Sequence, residues 1–179
     1  QRGLMHPLGA GAYVNGVAFV HGRLYAATGG GRLYREGAKG FELVELPLRQ
    51  ARLVRLLLLQ SPKKTLRLLL ITNNSGVLML ATGGNDEPSL YQWSEEAGLC
   101  SRYVTALGTA GEHVVVAVHG CVHVAPFRAL VERPDEVGRW GRIHLGEVAA
   151  PVEHNRICAV CEHDGQLHIG SSSGLFRVA

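Results

Sequence analysis

Apolar residues along this chain fall in short runs, broken by polar gaps that nearly always contain glycine. Four stretches show the pattern well: "VAFVHGRLYAATGGGRLYR" (17–35), "LLLITNNSGVLMLATGGNDEPSLYQW" (68–93), "VTALGTAGEHVVVAVHGCVHVAPF" (104–127) and "ICAVCEHDGQLHIGSSSGLFRVA" (157–179). Within the runs, apolar and polar positions alternate imperfectly and Val, Leu and Tyr dominate. That is the signature of strands covered on both faces. Helical periodicity is scarce, and the gaps suit tight hairpins, where glycine adopts positive φ without a Cβ clash.

Laid side by side, the stretches repeat one unit. An apolar strand leads to a turn holding Gly22, Gly76, Gly111 or Gly165. A second strand follows with a small residue, Ala27, Ala81, Ala117 or Gly170, expected at equivalent, tightly packed positions. Hairpin turns are expected near Gly22, Gly30, Gly120, Gly165 and Ser172. Three stretches continue into a further strand opening Leu33-Tyr34, Leu90-Tyr91 or Leu175-Phe176. "FELVELPL" (41–48) and "GRWGRIHL" (138–145) suit outer strands. "RQARLVRLLLLQ" (49–60) fits either period; read as a strand antiparallel to "LRLLLIT", it makes the strand count even. A four-strand unit recurring every ~40–55 residues predicts an all-β fold, a β-propeller. The blades run approximately 13–48, 51–94, 99–145 and 156–179. The fourth has about three strands, so further blades from the same or another chain are expected to complete a larger ring, in preference to a strand from residues 1–8.

"HDGQLHIGSSSGLFR" and "VHGRLYAATGGGRLYR" resemble blade motifs of the two-component-regulator propeller type, and the geometry is similar to WD-like repeats, although no Trp-Asp pair occurs. Tyr25, Met79, Val115 and His168 stand where the two-component-regulator family commonly has tryptophan. The resemblance implies propeller architecture and not that family's sensor-kinase role.

Composition narrows the class. Of 179 residues, 46% are hydrophobic and 18% charged, which is a core-forming chain rather than a disordered one. A net charge of +3 is too small to mark a nucleic-acid binder. No apolar run approaches the ~18 residues of a membrane helix. Four cysteines are too few for a disulfide scaffold and read as reduced core residues, consistent with a cytoplasmic setting.

Candidate chemistry is sparse. Gly170-Ser-Ser-Ser-Gly174 matches G-x-S-x-G formally, yet a nucleophile elbow needs a following helix, and no histidine follows Ser172. His119, Cys121 and His123, with Cys158, Cys161 and His163, offer thiols and imidazoles, the ligands zinc prefers. Their spacing does not suit a zinc knuckle, so no metal or other cofactor is expected. Glu95-Glu96 and Asp135-Glu136 read as solvated charge, and Gly29-Gly30-Gly31 lacks the residues of a phosphate loop. One charge pattern stands out. No acid lies between Leu46 and Asn85, while Arg49, Arg52, Arg55, Lys63, Lys64 and Arg67 do. The stretch suits an acidic protein partner, and its lack of stacking aromatics argues against nucleic acid. The expectation is a non-enzymatic interaction scaffold, a propeller module within a multiprotein assembly. The alternative is a ligand-sensing or enzymatic propeller with a small-molecule site over its channel.

Overall fold

The computed structural model describes residues 13–46, 52–60, 66–81, 89–118, 121–143 and 156–178. They form four antiparallel sheets, each a meander of sequential strands. Blade 1 holds β1 (Val14–Val20), β2 (Arg23–Thr28), β3 (Leu33–Gly37) and β4 (Gly40–Val44). Blade 2 holds β5 (Leu53–Gln60), β6 (Leu66–Thr72), β7 (Val77–Ala81) and β8 (Ser89–Trp93). Blade 3 holds β9 (Val104–Ala110), β10 (His113–Val118), β11 (Cys121–Pro126) and β12 (Gly141–Ile143). Blade 4 has three strands among the described residues: β13 (Ile157–His163), β14 (Gln166–Ser171) and β15 (Gly174–Val178).

The first strand of each blade carries the contact to the next blade. β1 packs on β5, β5 on β9, and β9 on β13. Three apolar clusters fill the three gaps between the four sheets. Leu33, Leu68 and Leu70 lie between blades 1 and 2. Leu69, Ile71, Met79, Val114 and Val116 lie between blades 2 and 3. Val115, Ala117, Val160 and Ile169 lie between blades 3 and 4. Strand alternation explains the division, because successive side chains point to opposite faces. Leu68 and Leu70 face one neighbour, Leu69 and Ile71 the other. Both faces being covered, the run Leu68–Ile71 is uninterrupted and wholly buried.

Every first strand carries a bulge at the same place. The register with the second strand slips between Val14 and Gly16, Leu53 and Arg55, Val104 and Ala106, and Ile157 and Ala159. An extra residue there bends the strand and strengthens its twist. The bulge aligns Ala27, Ile71, Ala117 and Gly170 as equivalent second-strand positions. Ala81 was expected in that set and is not in it. It is the last residue of β7, a third strand. The reason is local: "SPKKT", the sequence between β5 and β6, has no glycine, so counting glycines shifts the blade by one strand. Gly76 accordingly lies in the second turn of its blade rather than the first.

The residue after each of those positions is a hydroxyl in three blades. Thr28 Oγ1 donates to the Arg32 carbonyl and Thr72 Oγ1 to the Gly76 carbonyl. Ser171 Oγ does the same for Gly174. Each closes the turn into the third strand. His21-Gly22 and Asp164-Gly165 are paired positive-φ residues, with φ of 49° and 75° and of 51° and 72°. This is the twist-matched two-residue hairpin geometry. Turns also occur at Gly30 and Ser172; the expected turn at Gly120 lies outside the described residues.

One element departs from the strand pattern. A helix, α1 (Phe127–Glu132), and a 3-10 turn (Pro134–Glu136) lie between β11 and β12. Pro126 and Arg133 flank α1, and its Leu130 and Val131 fill the core between blades 2 and 3. The outer strand expected over 138–145 is confined to Gly141–Ile143 among the described residues.

Candidate functional site

Blades 2 and 3 have a neighbour on each face, whereas blades 1 and 4 each leave one face uncovered by the other sheets. The register of blade 1 places Val17, Ala26, Tyr34 and Leu43 in one row across its open face, and Phe19 beside Leu24 in the next. Val17, Phe19 and Leu43, on the two outer strands of this sheet, are 60%, 63% and 50% exposed. On blade 4 the open face carries Ala159, Gly170 and Leu175 in one row and Cys161, His168 and Arg177 in the next. This second face is mixed in polarity. Leu175 is its large exposed apolar side chain.

The three described members of the basic stretch do not share one surface. Arg52 precedes β5, and its amide donates to Asn73 Oδ1 at 2.8 Å. Arg67 lies at the other end of the same strand pair, opposite Leu59. Seven residues of extended chain between the levels of Arg52 and Leu59 separate them by roughly 23 Å. Arg55 lies on the first strand of blade 2, lining a cleft with Thr109, Cys161, Glu162 and Asp164. Arg49, Lys63 and Lys64 lie outside the described residues.

The serine triplet closes a hairpin. The Ser172 amide donates to the Arg156 carbonyl at 3.0 Å, and its Oγ accepts from the Arg156 amide at 3.1 Å. Strands precede and follow this turn, so the nucleophile elbow is absent here.

The thiols and imidazoles are distributed differently from the sequence grouping. Cys158 and Cys161 are exposed on blade 4, and His119 lies outside the described residues. Cys121 and His123 alternate on β11 and so face the same way. Both are buried, and the residue that joins them is Cys100, from the connection between β8 and β9. The two sulfurs and a ring nitrogen of His123 all lie within 4.8 Å of one another. The Cys100 amide donates to His123 Nε2 at 3.1 Å, which leaves Nδ1 as the protonated nitrogen of the neutral ring. Nδ1 is buried without a hydrogen-bond partner. Burial lowers the His123 pKa; the Gly141 carbonyl opposes this shift, and the Arg142 charge adds to it. Burial also pushes the Cys121 thiol up to about 11, reinforced by the Cys100 thiol and opposed by Arg142. Sequence spacing gave no signal for Cys100, which is 21 residues from Cys121 and reaches it only through the fold.

No protein-family model matches the chain, and no curated protein matches it in sequence. Solved structures do match in shape. The β-propeller domain of Myceliophteria thermophila Cps50 (Swd1) superposes with a TM-score of 0.61 at 12% identity, over 93% of this chain and 53% of that one. The architecture is a β-propeller. The extracellular domain of the hybrid two-component system BT3049 from B. thetaiotaomicron gives a TM-score of 0.62 at 15% identity, covering 92% of this chain and 21% of that one. PorZ of Porphyromonas gingivalis gives 0.66 at 11% identity, covering 93% and 26%. The chain therefore spans about half of the first structure and about a quarter or less of the other two. At these identities the likeness concerns the fold.

Proposed function

We propose that this chain is a non-enzymatic protein–protein scaffold, an arc of a larger β-propeller acting within a multiprotein assembly in the cytoplasm. The observation that carries the reading is the open face of blade 1. Val17, Phe19, Leu24, Tyr34 and Leu43 form a contiguous apolar sheet surface with no sheet of the described chain against it. Among the described residues, the three gaps between successive sheets are filled by such residues. Large exposed apolar patches mark binding surfaces. The occupant that fits is another blade, from the same polypeptide or a partner subunit, presenting Val or Leu from a twisted sheet.

Additional support comes from the fold's use elsewhere. PorZ is an essential bacterial surface component of the type-IX secretion system, so a protein of similar shape serves an assembly there. Among the described residues, the turns from second to third strand, at Gly30, Asn73 and Ser172, hold no acid or histidine of the kind a catalytic channel would gather. The basic stretch contributes through its acidic-partner preference: Arg52 and Arg67 serve opposite rims of blade 2, with Arg49, Lys63 and Lys64 as further contacts. Purification of the tagged protein from its native cells tests the proposal. A stoichiometric protein partner should co-purify with the wild type and be lost from a Val17→Asp/Phe19→Asp variant that remains folded. Recovery of the bare chain alone, or an unchanged partner with the variant, would overturn it.

A further inference from the structure

We propose that Cys100, Cys121 and His123 form a zinc site, with two thiolates and one imidazole as ligands and the fourth position open to solvent. Three side chains from two separate segments converge, and all three are of the type that selects zinc over hard cations such as magnesium and calcium. Tetrahedral zinc with these ligands needs donor atoms about 3.5–3.8 Å apart. The donors here already lie within 4.8 Å, so closure requires movements of about 1 Å.

The two segments differ in freedom. Cys121 and His123 are fixed on β11, which pairs with β10 at both residues and with β12 at His123. Cys100 is exposed and lies in a connection rather than a strand, so it is the ligand that adjusts. The metal takes His123 Nε2, the nitrogen that already faces Cys100. The Cys100 amide gives up its bond to that nitrogen and turns to solvent. Nδ1 keeps its proton as the buried nitrogen of the ring. The balance is simple: two sulfur–zinc bonds and one nitrogen–zinc bond form, two thiol protons leave to solvent, and the hydrated ion sheds its waters except the one that keeps the fourth position.

The open position is on the exposed side of Cys100. A depression there is lined by Gly98, Cys100, Arg139, Trp140 and Arg142. Two thiolates neutralise the dication. The site would clip the β8–β9 connection to the middle of blade 3. The Cys158, Cys161 and His163 group does not compete. Its residues are exposed, and among the described residues only the Cys100 trio gathers its donors.

The test uses the reduced, metal-stripped 179-residue chain titrated with cobalt(II) and then zinc(II). One equivalent of cobalt should bind with a thiolate-to-metal charge-transfer band, and zinc should displace it. Cys100→Ser, at an exposed position, should weaken binding by roughly 100-fold or more, while a Cys158→Ser/Cys161→Ser double variant should bind like the wild type. Because a ligand variant can also disturb folding, alkylation of the wild type is read by mass spectrometry in parallel. Zinc should protect Cys100 and Cys121 and leave Cys158 and Cys161 reactive. Absence of the charge-transfer band, protection of Cys158 and Cys161 instead, or a band that survives Cys100→Ser would overturn the proposal.

Discussion

Blade 2 and blade 1 are both four-stranded meanders with a bulge in the first strand and a threonine closing the second turn, yet their burial differs. The second strand is buried without a break in both, from Leu68 to Thr72 and from Tyr25 to Thr28. The difference lies on the first strand: Leu56 of blade 2 is buried against blade 1, whereas the equivalent Val17 of blade 1 is 60% exposed and Phe19 lies in the open beside it. Identical blade geometry thus gives two outcomes according to how many neighbours the sheet has. The uncovered face of blade 1 is not polar, as the solvent side of an ordinary antiparallel sheet would be. Its composition is that of an inter-blade face. The chemistry of the strand anticipates a neighbour that the described chain does not supply.

Substitutions can break that comparison. Leu69 is wholly buried between blades 2 and 3. Leu69→Ala should cost about 2–5 kcal/mol by leaving a cavity, read as a loss of urea-unfolding free energy. A loss below about 1 kcal/mol would mean that this gap is loosely packed. Next in size is Gly76→Ala. Gly76 has a φ of 77°, and a Cβ there would lie 2.0 Å from the Trp93 carbonyl oxygen. Its own amide bonds the Arg102 carbonyl at 2.9 Å, tying the blade 2 turn to the approach of β9. The left-handed conformation alone costs about 1–2 kcal/mol for alanine, and the clash adds to it. The variant should unfold at visibly lower temperature by calorimetry, and an unchanged midpoint would contradict the turn geometry. Smallest is Phe19→Ala on the open face, expected within about 0.5 kcal/mol of wild type in the isolated chain. A large loss would show that Phe19 is already covered.

Much of the fold was legible because the repeat is physical as well as textual. Bulged first strands, glycine turns and the hydroxyls Thr28, Thr72 and Ser171 recur because each blade solves the same packing problem. The ambiguous "RQARLVRLLLLQ" was resolved by counting strands, and β5 fills it from Leu53. Ala81 falls outside its expected set because "SPKKT", between β5 and β6, has no glycine to mark it. α1 escaped notice because its six residues are too few to display a helical period. The serine triplet was read as a turn on the absence of a helix and histidine after it, and the Arg156 bonds give the reason it holds that shape. The Cys100 cluster was invisible for a different reason. Its members meet through the path from β8 to β9, and no spacing rule connects a cysteine in a connection to a strand three elements later. Likewise, the basic stretch looked continuous in one dimension, but β5 and β6 carry Arg52 and Arg67 to opposite ends of a blade.

The central claim is that the four blades form an arc whose outer faces await another sheet. Light scattering on purified residues 1–179 across a concentration series tests it most directly. The account predicts a mass above that of one chain, rising with concentration and falling back toward one chain in Val17→Asp/Phe19→Asp. A compact monomer at every concentration, with a single sharp unfolding transition, would contradict it.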